Sequence, residues 1–300
     1  MTTTILIAQS YGAADKVLEF HTQELPVLQS GMARIKVKSA GINPIDARRM
    51  TGEFRHGSMP QTFGTEFAGE ILELSGNSTF FKIGDAVLGS GGGFTHATVI
   101  DVPVTNLIHK PESMSWDVAG TLAGVSQTAS TILDEIGPIK SLLIHGASGG
   151  VGSITIQLAK ERGIDVVATA STKNQDYLQK LGAKAVVYGD GLVSRLKNVH
   201  PELFDASIDM SGTEEATQAS LQTVKEDGFI GTIAGKPVSS PRVQAVWVKR
   251  NVNNLKHVVE RVADGTFSWE VDQVFRFEEA SKAYAYILDG HTRGKNALQF

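Results

Sequence analysis

The sequence predicts an α/β fold in two parts, an antiparallel β-rich domain and a doubly wound parallel-sheet domain, and three observations carry that reading. The first third breaks into short strands at Gly and Pro; from about Trp116 longer apolar-periodic runs alternate with continuous apolar strands; and a glycine-rich turn at residues 146–152 joins one such strand to a helix. A chain of 300 residues, 41% apolar and 20% charged, is long enough for two compact domains and too apolar to stay disordered. Lys plus Arg number 28 against 32 Asp plus Glu, a formal charge of -4 with no long basic tract, so a nucleic-acid partner is not expected. The chain has no Cys, which removes disulfides, thiolate nucleophiles and thiolate metal sites and points to a reducing compartment or simply to a protein with no use for thiols. Met1 to Ala8 carries no basic leader, and no run approaches the roughly 20 apolar residues of a membrane span, so the expected location is the cytoplasm.

In the first third, Ala33–Ala40, Phe67–Leu74 and Asp85–Leu88 read as strands; in the first of these Ile35 and Val37 alternate with Arg34, Lys36 and Lys38, the two-residue period of a strand with one wet face. A helix is expected over Asp117–Leu133. Ser141–His145 then reads as a buried strand, Gly146–Gly152 as a tight turn, Val151–Arg162 as an amphipathic helix and Asp165–Ala170 as a second strand, which together make a βαβ unit. A helix around Gln175–Leu181 leads into a strand at Ala185–Tyr188, and further apolar strands follow at Ala206–Met210 and Gly228–Ala234, as a sheet covered on both faces requires. The tail reads as a helix near Leu255–Ala263, a strand at Phe275–Phe277, a helix over Glu278–Leu288 and a closing strand at Lys295–Phe300. Periodicity alone does not say which domain that tail joins.

The glycine-rich turn has the setting of a dinucleotide site. Ala147 stands where the first Gly of the fingerprint is often found, Gly149 lets a pyrophosphate approach the backbone, and Gly152 lets the following helix pack on the strand; the amides of the Ser148, Gly150 and Val151 region face negative oxygens at the helix N-terminus. After the second strand the sequence runs Ser171-Thr172-Lys173-Asn174, with no carboxylate before Asp176. An acid there would bind ribose hydroxyls and repel a 2′-phosphate. Ser171, Thr172 and Lys173 offer donors and positive charge instead, so NADPH is expected over NADH; Lys173 as the cap of a solvated loop is the alternative role. No phosphate-loop NTPase motif is present; Gly146-Ala147-Ser148-Gly149-Gly150 has the spacing of a Gly-x-Ser-x-Gly elbow, but inside a glycine-rich turn of a βαβ unit Ser148 reads as a turn or phosphate contact and not as an acyl-transfer nucleophile.

Several segments, in order and spacing, carry a resemblance over nearly the whole chain: Ala40-Gly41-Ile42-Asn43-Pro44-Ile45-Asp46, Gly64-Thr65-Glu66-Phe67-Ala68-Gly69, Phe80–Val87, Ala147–Gly152, Leu181-Gly182-Ala183 and Gly290–Lys295. The sequence resembles the zinc-free, quinone-oxidoreductase-like branch of the medium-chain dehydrogenase/reductase superfamily. That resemblance implies a GroES-like domain from residues 1–118 and 268–300, a Rossmann domain over 119–267, and a homodimer, with Gln244–Lys249 as an exposed edge strand and Trp247 in the core or at a subunit contact. It also implies no zinc site, because zinc-dependent relatives carry Cys near Asn43 and His in the place of Thr65, and the Cys-rich lobe is missing.

The same resemblance gives the remaining site residues their roles. Asn43 orients cofactor or substrate, or else forms an Asx-type turn before Pro44. Phe54 stands where many relatives have a Tyr and lines an apolar acceptor pocket or packs in the core. Thr65 and Thr128 are candidates for stabilising a developing oxygen charge, and Thr128 also resembles a contact near nicotinamide or pyrophosphate. Tyr188 resembles a residue bordering the 2′-phosphate or packs at its strand end; Gly231, Ile233 and Ala234 place backbone groups near nicotinamide or form a structural crossover; and Lys295 resembles a cofactor contact or is a terminal surface Lys. Asp46 and Glu66 hold loops, while His56, His96, His109, His145 and His291 show no ligand spacing. The implied activity is NADPH-dependent hydride transfer to a small apolar quinone or similarly activated carbonyl compound; reduction of a conjugated enone or enoyl thioester and a silent NADPH-binding sensor are the alternatives.

Overall fold

The computed structural model describes residues 1–55, 57–76, 80–290 and 292–300. The chain forms two compact units, one of Met1–Gly124 with Leu255–Asp264 and Glu270–Phe300, the other of Val125–Asn254 with Gly265–Trp269.

The first unit is built on the Met32–Ile42 strand. Glu66–Leu74 and Val99–Pro103 pair with it antiparallel, and so does the C-terminal strand Lys295–Gln299, which assigns the tail to this unit. Outward from these lie Ala86–Ser90 and Leu107–His109 on one side and Val271–Arg276 on the other, while Thr2–Ala8 organises a separate three-stranded sheet with Leu18–Glu24 and Gln61–Thr62. Ile35, Val37, Phe67, Ile71 and Val87 form one apolar core and Leu6, Ile42, Met50, Phe63 and Tyr284 another, all at most 1% exposed. The wet face expected for Arg34 is corrected here. Arg34 is 5% exposed because its register partners on the two flanking strands are Glu73 and Asp101. Its guanidinium donates to Asp101 at 2.8 and 2.9 Å, to Glu73 at 2.9 Å and to the Pro26 carbonyl at 2.6 Å, so the charge is buried only where two carboxylates meet it.

The second unit is a six-stranded parallel sheet in the order Lys184–Val187, Asp165–Ala170, Ser141–His145, Phe204–Asp209, Val224–Thr232, Gln244–Ala245. The order reverses direction at Ser141–His145, which is therefore central and buried at every residue. That is the doubly wound arrangement, with its switch point at the C-terminal end of this strand. The Gly265–Trp269 segment is held to the Gly150–Glu161 helix by a two-way clasp, Gln157 Nε2 donating to the Ser268 carbonyl at 2.9 Å and the Ser268 amide to Gln157 Oε1 at 2.6 Å.

Two expected elements differ. The helix read over Asp117–Leu133 is two helices, Trp116–Gly120 and Ala123–Ile136. Thr121 makes the break: its hydroxyl donates to the Asp117 and Val118 carbonyls, both at 2.9 Å, and supplies locally what the next helical turn would. The edge strand read over Gln244–Lys249 is only Gln244–Ala245, because the chain leaves the sheet to exchange hydrogen bonds between the Lys249 backbone and the Thr131 hydroxyl. Trp247, placed in the core or at a contact by the sequence, is 62% exposed in the chain.

Asp205 closes the start of the central strand. Its carboxylate takes hydrogen bonds from the amides of Lys140 at 2.7 Å and Ser141 at 3.0 Å and an ion pair from Lys225. Lys225 above all, and then those two amides, hold its pKa down at about 2. A folded value below the unfolded one contributes stability that is complete above the usual carboxylate range and is lost as pH falls through the folded value. Asp205→Asn should therefore be less stable than the parent by about 2 kcal/mol at neutral pH, with the gap closing between about pH 4 and pH 2, as urea unfolding at several pH values will measure.

Candidate active site

In the second unit the turn after Ser141–His145 is shaped by what its glycines leave open. A Cβ on Gly152 would sit 2.5 Å from the Ala147 carbonyl oxygen and 2.6 Å from the Ala147 Cα, so helix and turn approach this closely only with Gly there. A Cβ on Gly149 would meet only the Gly146 carbonyl, at 3.9 Å, which leaves room for a ligand. Gly149 is the N-cap of the 12-residue helix Gly150–Glu161 and supplies no side-chain cap, so the first-turn amides point at that space. Ala147 and Gly150 are buried, Ser148 and Val151 half-buried. Ser148 Oγ accepts from Asn174 Nδ2 at 3.1 Å, which ties this turn to the loop after the neighbouring strand.

That loop begins at Ser171, whose Oγ is buried and has no hydrogen-bond partner among the described residues. Gln175 Nε2 fixes the backbone beneath it by donating to the Ala170 and Ser171 carbonyls at 3.0 and 3.1 Å. Thr172 and Lys173 are exposed in the short 3-10 turn Thr172–Asn174. Tyr188 follows the adjacent strand, 50% exposed, with its amide 3.4 Å from the Ala170 carbonyl. Ser171, Thr172, Lys173 and Tyr188 thus lie at the ends of two neighbouring strands. Gly231 is at the far end of the Val224–Thr232 strand, and Ile233 and Ala234 follow it, the Ile233 amide donating to the Asp209 carbonyl at 3.0 Å. Thr128 is half-buried on the Ala123–Ile136 helix.

The sequence reads His145 as the end of a buried strand with no ligand spacing and does not single out Asp209; the two are register partners at the switch point. Asp209 gathers the Ser211 amide and hydroxyl at 2.7 and 2.6 Å and the Gly212 amide at 3.1 Å. His145 Nδ1 lies 3.2 Å from Thr169 Oγ1, and its Nε2 has no partner among the described residues. Burial drives its pKa down to about 4 against the opposing pull of Asp209.

The first unit holds a second polar cluster. Asn43 precedes the Pro44–Thr51 helix, and Asp46 in that helix accepts from the Asn43 amide at 3.0 Å and the Gly64 amide at 3.1 Å, which binds the two loops together. Asn43 Nδ2 donates to Thr65 Oγ1 at 3.2 Å and to Glu66 Oε1 at 3.1 Å. Glu66 is fully buried; its Oε2 accepts from the Gly124 amide at 2.6 Å and its Oε1 lies 2.6 Å from Lys295 Nζ. Lys295, which resembles a cofactor contact, is 4% exposed, and it donates to the Ile42 carbonyl at 2.8 Å as well as pairing with Glu66. Phe54 is half-buried and anchored by its amide to the Arg48 carbonyl at 3.1 Å. Behind the cluster His96 Nε2 donates to the Gly41 carbonyl at 3.1 Å, which only accepts, so Nδ1 accepts a hydrogen bond from the Tyr284 hydroxyl at 2.8 Å. Burial pushes the imidazole down and the phenol up, and both stay neutral near pH 7. Of the other histidines, His56 and His291 lie outside the described residues, and among the described residues no group of three or more His, Cys, Asp or Glu side chains could hold a metal ion.

Comparison with known proteins finds two family matches along the chain. The family described as Alcohol dehydrogenase GroES-like domain matches residues 29–112, and that described as Zinc-binding dehydrogenase matches residues 150–265. The chloroplastic quinone-oxidoreductase QR1 of Triphysaria versicolor is 29% identical, over 96% of this chain and 96% of its own. The 2-methylene-furan-3-one reductase of Solanum lycopersicum is 28% identical over 95% of this chain and 76% of its own. The solved quinone oxidoreductase from Coxiella burnetii superposes with a TM-score of 0.87 at 27% identity over the whole of both chains. The chain belongs to the quinone-oxidoreductase-like branch of the medium-chain dehydrogenase/reductase superfamily.

As a member of this branch the protein is an oxidoreductase that uses a nicotinamide cofactor, with a GroES-like fold in its first unit and a Rossmann fold in its second. The residues of the second unit fit such a cofactor: an open approach at Gly149, unspent helix amides, and a buried hydroxyl without a partner at Ser171. Of this oxidoreductase's site residues, Asn174, Glu66 and Asp46 gained their connections only from the fold; an Asn four residues after a strand carries no distinguishing signal. No described helix is long and apolar enough to cross a membrane.

Two outcomes follow for the Rossmann unit. Gly152→Ala should lower stability by about 1–3 kcal/mol, because the collision is with backbone, and should weaken nicotinamide nucleotide binding in calorimetry. Because the folded pKa of His145 lies below its unfolded one, the unfolded chain takes up the proton first, and stability falls as pH drops from about 6.5 to about 4. Thermal unfolding of His145→Gln should lack that part of the acid sensitivity.

Proposed function

We propose that this oxidoreductase uses NADPH and, without zinc, reduces a quinone or a similarly electron-poor carbonyl compound. The observation that carries the cofactor choice is the buried, unpartnered Ser171 hydroxyl beside exposed Thr172 and Lys173, at a strand end where no carboxylate stands before Asp176. A 2′-phosphate would give that hydroxyl its partner and Lys173 its counter-charge, and the exposed Tyr188 phenol ends the adjacent strand as a further donor. The first-turn amides of Gly150–Glu161 and the open Gly149 suit the pyrophosphate, and Thr128, Gly231, Ile233 and Ala234 are the candidates for the nicotinamide end.

When bound, the reduced nicotinamide supplies hydride, two electrons with one proton, to the acceptor. Reduction of a quinone to its hydroquinone then needs one further proton, which water provides, so no protein acid is required; Phe54 in the place of a Tyr suits this chemistry better than enoyl-thioester reduction. Zinc fits the first unit poorly. Its donors there would be an Asn amide nitrogen, a Thr hydroxyl and a carboxylate already 2.6 Å from an ammonium group, and that ammonium would repel a dication. No step is assigned to a metal. The half-buried Thr65 hydroxyl offers the acceptor oxygen a donor instead.

The similarity to a 2-methylene-furan-3-one reductase supports a second reading, reduction of a double bond conjugated to a carbonyl. Mass detection separates the two: hydroquinone from a quinone supports the first, a saturated ketone from an enone the second. For the cofactor, calorimetric titration should give at least about tenfold tighter binding of NADPH than NADH, and Lys173→Glu should abolish that preference with little change for NADH. Equal affinities in the parent protein would withdraw the 2′-phosphate assignment.

A further inference from the structure

Glu66 occupies a cage built for a carboxylate. Gly41 and Gly124 leave the space it fills, since a Cβ on Gly41 would lie 2.4 Å from Glu66 Oε1 and one on Gly124 3.0 Å from Oε2. Within that cage Oε2 is held by the Gly124 amide in the first turn of the Ala123–Ile136 helix, and Oε1 receives both Lys295 Nζ and Asn43 Nδ2. Lys295 is itself fixed by the Ile42 carbonyl.

This arrangement sets the polarity of everything downstream. An ionised carboxylate only accepts, so the Asn43 amide must present its NH2 group to Glu66 and not its oxygen. The second hydrogen of that same NH2 goes to Thr65 Oγ1 at 3.2 Å, which makes Thr65 an acceptor on that side. Its own O–H has no acceptor among the described residues, and the residue is only half-buried. With its orientation chosen by the chain, the hydroxyl is left as a donor.

We propose that Lys295 and Glu66 are positioning residues that, through the Asn43 amide, fix the Thr65 hydroxyl as a hydrogen-bond donor to the oxygen of the carbonyl acceptor. The proposal rests on the reductase reading above. It assigns Thr65 no proton transfer: the hydroxyl keeps its hydrogen and stabilises charge that develops on the acceptor oxygen as hydride arrives. It also defines the substrate class further, since an acceptor must carry an oxygen lone pair beside or conjugated with the reducible centre.

The test is steady-state kinetics of the full-length protein with benzoquinone and with cyclohexenone, NADPH being the reductant. Thr65→Val should lower kcat on the order of 100-fold, whereas Thr65→Ser, which keeps the donor, should restore most of it. Because Lys295→Met alone strands a buried carboxylate and can unfold the chain, the second probe is the uncharged pair Glu66→Gln with Lys295→Met. A Gln at 66 can donate as well as accept, so Asn43 loses its enforced orientation while the volume is kept. That double variant should lose at least about tenfold in kcat with the KM for NADPH nearly unchanged, and should cost almost nothing further when Thr65 is already Val. A purely structural role gives the opposite result, additive losses in the two backgrounds, and overturns the proposal. Full kcat in Thr65→Val overturns it too, with the reductase reading intact. A parent protein that binds NADPH but reduces neither acceptor overturns that reading, and the proposal with it, before any variant is compared.

Discussion

The buried carboxylate of Glu66 is the constraint around which the first unit is arranged. Desolvating a carboxylate and an ammonium costs several kcal/mol per ion, and the loss is recovered only if geometry is close and the remaining valences are filled. Here each oxygen is engaged: one by a helix amide, the other by an ammonium and an amide NH2. Removing one partner from such a pair typically costs about 3–5 kcal/mol, so the elements that meet here are held to one arrangement. Those elements come from four places in the chain, the end of Met32–Ile42, the start of Glu66–Leu74, the start of Ala123–Ile136 and the start of Lys295–Gln299.

Topology is what makes that meeting possible. The C-terminal strand runs antiparallel to Met32–Ile42 with Asn296 opposite Ile42, and this register delivers Lys295, one residue earlier, to the Ile42 carbonyl and the Glu66 carboxylate. Asp46 does the corresponding work between loops, joining the Asn43 and Gly64 amides through a single carboxylate. The His96–Tyr284 pair closes the back of the same region by holding the Gly41 carbonyl. Each is a buried polar group satisfied by partners distant in sequence, the kind of network that specifies one arrangement when complete.

This explains which parts of the molecule could be read from the amino acids. The parallel sheet was legible because its strands are local and continuous in apolarity; Ser141–His145 and Asp165–Ala170 have the bounds their residues indicate. So was the turn at Gly152, where the demand for Gly is imposed by neighbours five residues away. Arg34 and Lys295 were not legible in the same way. A basic residue in an alternating strand, or near a C-terminus, reads as solvated unless its counter-ions are known, and those are 39 and 67 residues away for Arg34 and lie at Glu66 for Lys295. The break at Thr121 escaped for another reason: one hydroxyl satisfying two carbonyls changes no pattern of apolarity.

The two units therefore solve the problem of charge by different means. In the Rossmann unit, groups at the strand ends are left unspent, as the proposed binding of NADPH requires: helix amides without a side-chain cap, a serine hydroxyl with no partner among the described residues, an exposed lysine. In the GroES-like unit the Glu66 carboxylate, the Lys295 ammonium and the Asn43 side-chain amide are bound to one another, and the Thr65 hydroxyl at the end of that chain keeps its hydrogen to donate. A site that must accept a large, charged cofactor gains from open valences. One that must stabilise charge appearing on a single oxygen gains from a donor whose direction is fixed before the charge forms, because no reorganisation is then required during the reaction.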